Sequence, residues 1–271
     1  VDGWLILVGM LGLAGTAIWL LPHVLGAGRR LRSRWAGRPR PEPTTADRVR
    51  EAMPRGDLGA EELAALRDDA LELNEQGHLE RAIAAQSHVA ALTGAPADER
   101  RLARFRGQLG FLIGDDLPTL PFEPITAVVE GRVLHVVKSD LSTAQAGYTI
   151  RTHRTARAQV EAGFDVHVVT QRRSADVEPG RSVQDGVVYH RLASAAASEH
   201  PADVWFADHV RALWELAIEL RPAVVHAASD FVNARAALIV GRALGIPVIY
   251  EVRGFWEETF RSSWEHRFGR P

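Results

Sequence analysis

Cysteine is absent from all 271 residues, and of 32 basic residues only Lys138 is a lysine. The first absence removes disulfides, thiolate nucleophiles and cysteine-based metal sites, and it fits a reducing compartment. The second, beside so much alanine, is a coding bias without mechanistic content. Net charge is nearly absent too: 32 basic against 34 acidic residues leave −2, so no global field draws the chain to nucleic acid, and none is expected as a partner. There is no G-x-G-x-x-G fingerprint. Where a dinucleotide enzyme would place an acidic residue after its second strand, "TQRRS" stands instead, which argues against a dinucleotide oxidoreductase. No cluster of metal-ligand type occurs, so neither a metal nor a resident cofactor is expected. What remains is a chain with 46% apolar residues, ample for a real core.

The amino-terminal stretch lacks charge. Residues 3–28 contain no Asp, Glu, Lys or Arg, and "WLILVGMLGLAGTAIWLL" within them is close to the roughly 20 apolar residues of a spanning helix. A cleaved signal peptide would carry positive charge before the run, and a buried core helix would show a polar face; neither feature is present. The reading is a transmembrane anchor over 1–28. Arg29, Arg30, Arg32, Arg34, Arg38 and Arg40 crowd its exit, against Asp2 before it. The positive-inside rule then places the bulk of the chain in the cytoplasm as a single-pass protein of the cell membrane. The same arginines could meet anionic membrane lipids.

A basic, proline-rich linker at 29–45 leads into a helical segment, 46–115. Leu63, Leu66, Leu71 and Leu73 mark one amphipathic helix, Gly77 a break, Leu79, Ile83 and Val89 a second helix, and "GAPADER" the start of a third with Leu102 and Phe105. The run "ALELNEQGHLERAIAAQSHVAALTG" resembles a tetratricopeptide helical hairpin with Ala82 at a close-packed position. One such unit cannot bury its own face, so it is expected to pack on something else or to bind a protein partner; a plain helical spacer is the alternative. A linker at 116–130 closes this segment.

From residue 131 the pattern becomes α/β. "RVLHVV", "DVHVVT", "GVVYHRL", "AVVHAA" and "PVIYEV" read as five strands of a parallel sheet, with helices between most of them. Ligands of such sheets bind beyond the carboxyl ends of the strands. Three places qualify. After the first strand, "KSDLSTAQAGYTIRTH" reaches a helix amino terminus suited to an anion, with Gly147 allowing close approach; a plain turn would use a glycine as well. The fourth strand carries His226, which could orient a hydroxyl or phosphate, move a proton, or simply be held by hydrogen bonds. Asp230 and Asn233 suit a cap of the helix that follows. The fifth strand runs into "EVRGFWEE", where Arg253 offers a fork of donors, Gly254 frees the backbone, and Glu251 or Glu257 could accept hydroxyls or pair with the arginine. An internal Arg–Glu pair with no ligand is the plainer alternative.

Together "VLHVVKSDLSTAQAGYTIRTH", "QVEAGFDVHVVTQRR", "DGVVYHRL" and "RPAVVHAASDFVNARAALIVGRALGIPVIYEVRGFWEE" resemble the amino-terminal domain of family 4 glycosyltransferases, which have the GT-B architecture of two Rossmann-like halves. The resemblance covers residues 131–271. It implies a retaining transferase, hexosyltransferase in type, that uses a nucleotide-sugar donor and a glycan or lipid-linked acceptor. It implies a catalytic role for His226 and substrate binding by Gly147, Tyr148, Arg151, His153, Arg253, Gly254 and Glu257. Ala228 and Ser229 stand where many relatives carry a second histidine. The family's donor-binding half is not in this sequence, and the chain breaks off at "EHRFGRP", so one or both ends are expected to be cuts and this stretch alone is expected to be inactive. A non-catalytic membrane adaptor, or one chain of a split glycosyltransferase, stays open as an alternative.

Overall fold

The computed structural model describes residues 59–114, 117–171, 179–192, 200–255, 258 and 261–262. The expected membrane anchor, the arginine-rich linker and Glu257 lie outside them. Among the described residues no helix is long and apolar enough to cross a membrane. The chain separates into two compact units, a helical one within His23–Leu117 and an α/β one formed by Pro118–His200 with Trp205–Phe260.

The helical unit consists of α1 (Ala60–Glu75), α2 (Leu79–Thr93) and α3 (Pro96–Ile113). Leu66, Ala70 and Leu73 line the buried stripe of α1, so the stripe passes through Ala70, and Leu71, expected inside, is exposed. Steps of four and three residues keep one helical face, which Leu71 leaves. Gly77 takes a left-handed φ of 79° at the α1–α2 turn, as a glycine there can without penalty. Buried Asp98, in the first turn of α3, ties the three helices together. It accepts from Arg67 of α1 at 3.0 and 2.6 Å and from Thr93 of α2 at 2.8 Å, while Gln86 donates to its carbonyl at 3.1 Å. The Arg67 guanidinium, followed by Thr93 and Gln86, outweighs burial and holds the Asp98 carboxyl down to about 2.

The α/β unit runs β1 (Val129–Val137), α4 (Gly147–Glu161), β2 (Asp165–Thr170), β3 (Gly180–Gln184), β4 (Val187–Arg191), α5 (Ala202–Leu220), β5 (Pro222–Ala228), α6 (Phe231–Leu244) and β6 (Val248–Glu251). The sheet order is β3-β4-β2-β1-β5-β6. Five strands are parallel, but β3 pairs antiparallel with β4 and forms one edge, so the sheet is mixed rather than wholly parallel. Nothing in "GRSVQ" announced that strand: four of its five residues are exposed, so it lacks the apolar run of a buried strand. The chain winds outward from β1 to β2 and β4, then returns to β5 on the other side of β1. That reversal opens a crevice at the carboxyl ends of β1 and β5.

Helices cover both faces. On one, Ala156 of α4 packs with Val137, Val166, Val168, Val187, Tyr189 and Ala228, and Val160 lies against them. On the other, α6 approaches β6 so closely that a Cβ on Gly241 would stand 2.2 Å from Val248 Cγ2 and 2.9 Å from the Ile246 carbonyl oxygen. In an open helix Gly→Ala would stabilise by about 1 kcal/mol. Here the clash reverses the sign, and Gly241→Ala is expected to destabilise by about 1–3 kcal/mol. Urea unfolding measures it, and a stabilised variant would contradict this packing.

Candidate functional site

The charges that follow β6 are met on the α4 face of the sheet. Glu251, the last residue of β6, is 7% exposed and sits among three groups that carry or can carry positive charge. Arg253 Nη2 donates to its Oε2 at 2.7 Å, Arg151 Nη2 of α4 lies 3.1 Å from Oε1, and His226 Nε2 of β5 lies 3.4 Å from Oε2. Burial alone would push the carboxyl up. The His226 ring and the Arg253 guanidinium overcome it and hold Glu251 down to about 2, so the group is ionised.

Arg253 and Arg151 divide the work. Arg253 folds back into the protein, its side chain only 6% exposed. Its Nη1 donates to Thr152 Oγ1 at 2.6 Å and to the Tyr148 carbonyl at 3.2 Å, fastening the first turns of α4 to the end of β6. This is the internal ion pair of the plainer reading, with a backbone anchor added. Arg151 is 35% exposed, with Glu251 as its ion-pair partner. Of the two arginines, Arg151 is the one with donors toward solvent.

The amino terminus of α4 stands at the same place. Ala146 is its N-cap and supplies no side-chain oxygen; Thr149 Oγ1 instead accepts from the Ala146 N–H at 3.0 Å. Gly147 and Gly254 are both exposed, and a Cβ on either would meet nothing within 4 Å. The protein's own packing therefore does not require either glycine. Ahead of α4, buried Asp140 closes the loop by accepting from the Ser142 N–H, the Ser142 hydroxyl and the Thr143 N–H at 2.9, 2.6 and 2.9 Å.

His226 lies inside β5, two residues before its end, rather than as the residue that ends the strand. It is directly in register with His135 of β1. The two rings lie 4.6 Å apart between centroids, tilted by 34°. His135 is fully buried and its Nε2 is 2.7 Å from Gln159 Oε1 of α4. Burial, and then the neighbouring His226, lower His135 to about 3, so it is neutral at physiological pH. Three nitrogens of this cluster, His135 Nδ1, His226 Nε2 and Arg253 Nε, are buried without a hydrogen-bond partner.

Other expected residues lie elsewhere. Tyr148 contributes its carbonyl to the Arg253 anchor. His153 turns toward the β3–β4 hairpin, with Nδ1 2.7 Å from the Tyr189 hydroxyl and Nε2 2.9 Å from Asp185 Oδ2. Asp230 caps α6 by accepting from the Asn233 N–H at 3.2 Å. Gln171, just after β2, donates to Asn233 Oδ1 at 2.7 Å and to Asp230 at 3.1 Å, closing the floor of the crevice. Beside it Ser229 holds a left-handed φ of 78°, unusual for a non-glycine and typical of constrained sites. Sequence reasoning missed His135, Gln159 and Gln171. A single histidine inside the apolar runs "VLHVV" and "AVVHAA" was the available signal for the first.

The sheet and its crevice define an open α/β domain of Rossmann-like kind, with a charged cluster at the carboxyl ends of its strands. Residues 146–271 match the family described as glycosyl transferase 4-like domain. No curated protein matches the chain. Among solved structures it is similar to sucrose-phosphate synthase from Thermosynechococcus elongatus, at 10% identity and a TM-score of 0.42, over 50% of this chain and 37% of that one. The chain thus spans well under two thirds of that protein's length.

Proposed function

We propose that this chain carries the acceptor-side half of a membrane-anchored glycosyltransferase, one that moves a hexosyl group with retention from a nucleotide sugar to a glycan or lipid-linked acceptor. The observation that carries the reading is a coincidence of position. The glycosyl transferase 4-like match begins at residue 146, the N-cap of α4, and contains His226, Glu251 and Arg253. The matched stretch and most of the polar cluster are therefore one stretch of chain. Arg151, the uncapped start of α4 and the unobstructed Gly147 and Gly254 are the surfaces offered to substrate, and Arg253 is the strut that holds them. Positive groups and free N–H donors of this kind stabilise charge that develops on a departing or attacking oxygen. The nucleotide sugar is a substrate, and no cofactor enters the reading. The uncharged run at 3–28 followed by its arginines supports an anchor, anionic lipids beside it, and an acceptor close to the membrane. The helical unit is a surface on which a protein partner could be held.

The native polypeptide, purified from host membranes in detergent, tests this with radiolabelled nucleotide sugars and two acceptor pools, extracted glycolipids and soluble sugars. Incorporation into the glycolipid pool is expected. Transfer to soluble sugars alone contradicts the lipid-linked acceptor, and no transfer to either pool favours the adaptor. In the same assay Arg151→Ala should raise the acceptor KM by roughly tenfold. Its unfolding free energy should fall by no more than about 1 kcal/mol, because the ion pair with Glu251 is partly open to solvent and Arg253 still partners the carboxylate.

A further inference from the structure

We propose that Gln159 and His135 are positioning residues for His226, fixing the orientation of its ring beneath the crevice so that Glu251 can set its tautomer; this rests on the reading of His226 as a group of the substrate site. A buried imidazole is a poor choice for packing. The neighbouring positions of β1 on the same face are Val133 and Val137, both buried, and the core beside them is apolar. An apolar side chain at 135 would fill the space without leaving Nδ1 unpartnered in the interior, which a hydrogen-bonding group tolerates poorly. What the imidazole adds is a tether. Gln159 Oε1 accepts from His135 Nε2–H at 2.7 Å, which fixes the His135 tautomer and ring plane. That plane lies against His226 in the adjacent strand, 4.6 Å away.

On its other side His226 faces Glu251, and a carboxylate 3.4 Å from Nε2 favours the proton on that nitrogen, leaving Nδ1 as the basic atom. Both sides of the clamp are fastened to the same helix. Gln159 of α4 secures His135, while Arg151 and Thr152 of α4 secure Glu251 and Arg253. The charged and titratable groups around His226 are therefore His135 from β1, Glu251 and Arg253 from the end of β6, and Arg151 from α4. A shift of α4 would move all of them together.

Histidine-labelled full chain, followed by NMR through pH, tests the clamp. In the parent chain the His135 Nε2–H should be visible as a slowly exchanging proton and His226 should carry its proton on Nε2. In His135→Phe and Gln159→Leu the His226 ring, no longer held against a fixed plane, should move relative to Glu251 and lose its single Nε2–H tautomer, read as a shift of its two ring 15N signals toward a common average. Val160→Ala, which removes packing from α4 without touching a polar link, should leave those signals in place. A rapidly exchanging His135 proton in the parent overturns the proposal even if the variants do not fold. So does an unmoved His226 in Gln159→Leu, or an equal displacement in Val160→Ala. Failure of sugar transfer with the NMR pattern intact would sink the glycosyltransferase reading and leave the clamp standing.

Discussion

Glu251→Ala is expected to lower the unfolding free energy of the α/β unit by about 3–5 kcal/mol, the cost of leaving a buried charge without its partner. The side chain removed is the one carboxylate shared by Arg253, Arg151 and His226. Arg253 would keep the Tyr148 carbonyl and the Thr152 hydroxyl, which are neutral, and its guanidinium would remain almost entirely out of water. The loss should be smaller for Glu251→Gln, which keeps an acceptor oxygen but not the charge. The loss for Glu251→Leu combined with Arg253→Met should also be smaller than the two single losses summed, because each single variant strands the partner's charge and the double variant strands neither. Urea unfolding of the four members of that cycle is the measurement. A Glu251→Ala loss under about 1 kcal/mol would mean that water reaches Arg253, and the strut would have to be abandoned.

Acid should unfold the α/β unit starting from an unusually mild pH. Burial, then the neighbouring rings, lower His135 to about 3 and His190 to about 4; burial also lowers His167, whose Nδ1 lies 2.9 Å from His190 Nε2. The unfolded chain binds protons at these positions below about pH 6.5, whereas the folded one resists until its own lowered values. Stability is therefore complete above that point and falls as the pH drops toward 4 and then 3, by roughly 1 kcal/mol per pH unit for His135 and for His190, with His167 acting in the same direction. Glu251 adds to the loss only lower down, between its ordinary value of 4.5 and its folded value of about 2. Asp98 in the helical unit acts in the same low window, from 3.8 to about 2. Between pH 6.5 and 4.5 these groups accordingly weaken the α/β unit and spare the helical one. Hydrogen exchange resolved by segment can follow both, and His135→Phe should flatten the slope. A stability that does not change over that interval would show that the histidines are accessible to protons in the folded chain.

The two results bear on how the site could work. A cluster whose own charges are nearly balanced inside, through Glu251, offers a ligand only what faces outward: Arg151, the start of α4 and the edge of His226. That limits an anion to a few donors, and the rest of a sugar's recognition would fall to hydroxyl contacts.

How much was visible beforehand differs between levels. Alternating apolar runs and glycines announced every parallel strand within a few residues, the turn at Gly77 and the Asp230 cap, because these depend on neighbours along the chain. Periodicity says which side of an element is apolar, but it carries no information about which strand lies beside which. The register that sets His135 against His226 therefore stayed hidden, as did the exposed edge strand β3, which has no apolar period to detect. Arg253 shows the limit most clearly. Its residue type announced a fork of donors, and the sequence by itself determined that a charged, glycine-containing segment follows a buried strand. Whether that fork faced a ligand or the protein was decided by partners 101 and 105 positions away, brought within 2.6 and 3.2 Å by the parallel sheet and the helix packed on it. Only tertiary structure selects among donors and acceptors that are distant in the chain, and here it turned Arg253 inward and left Arg151 facing out.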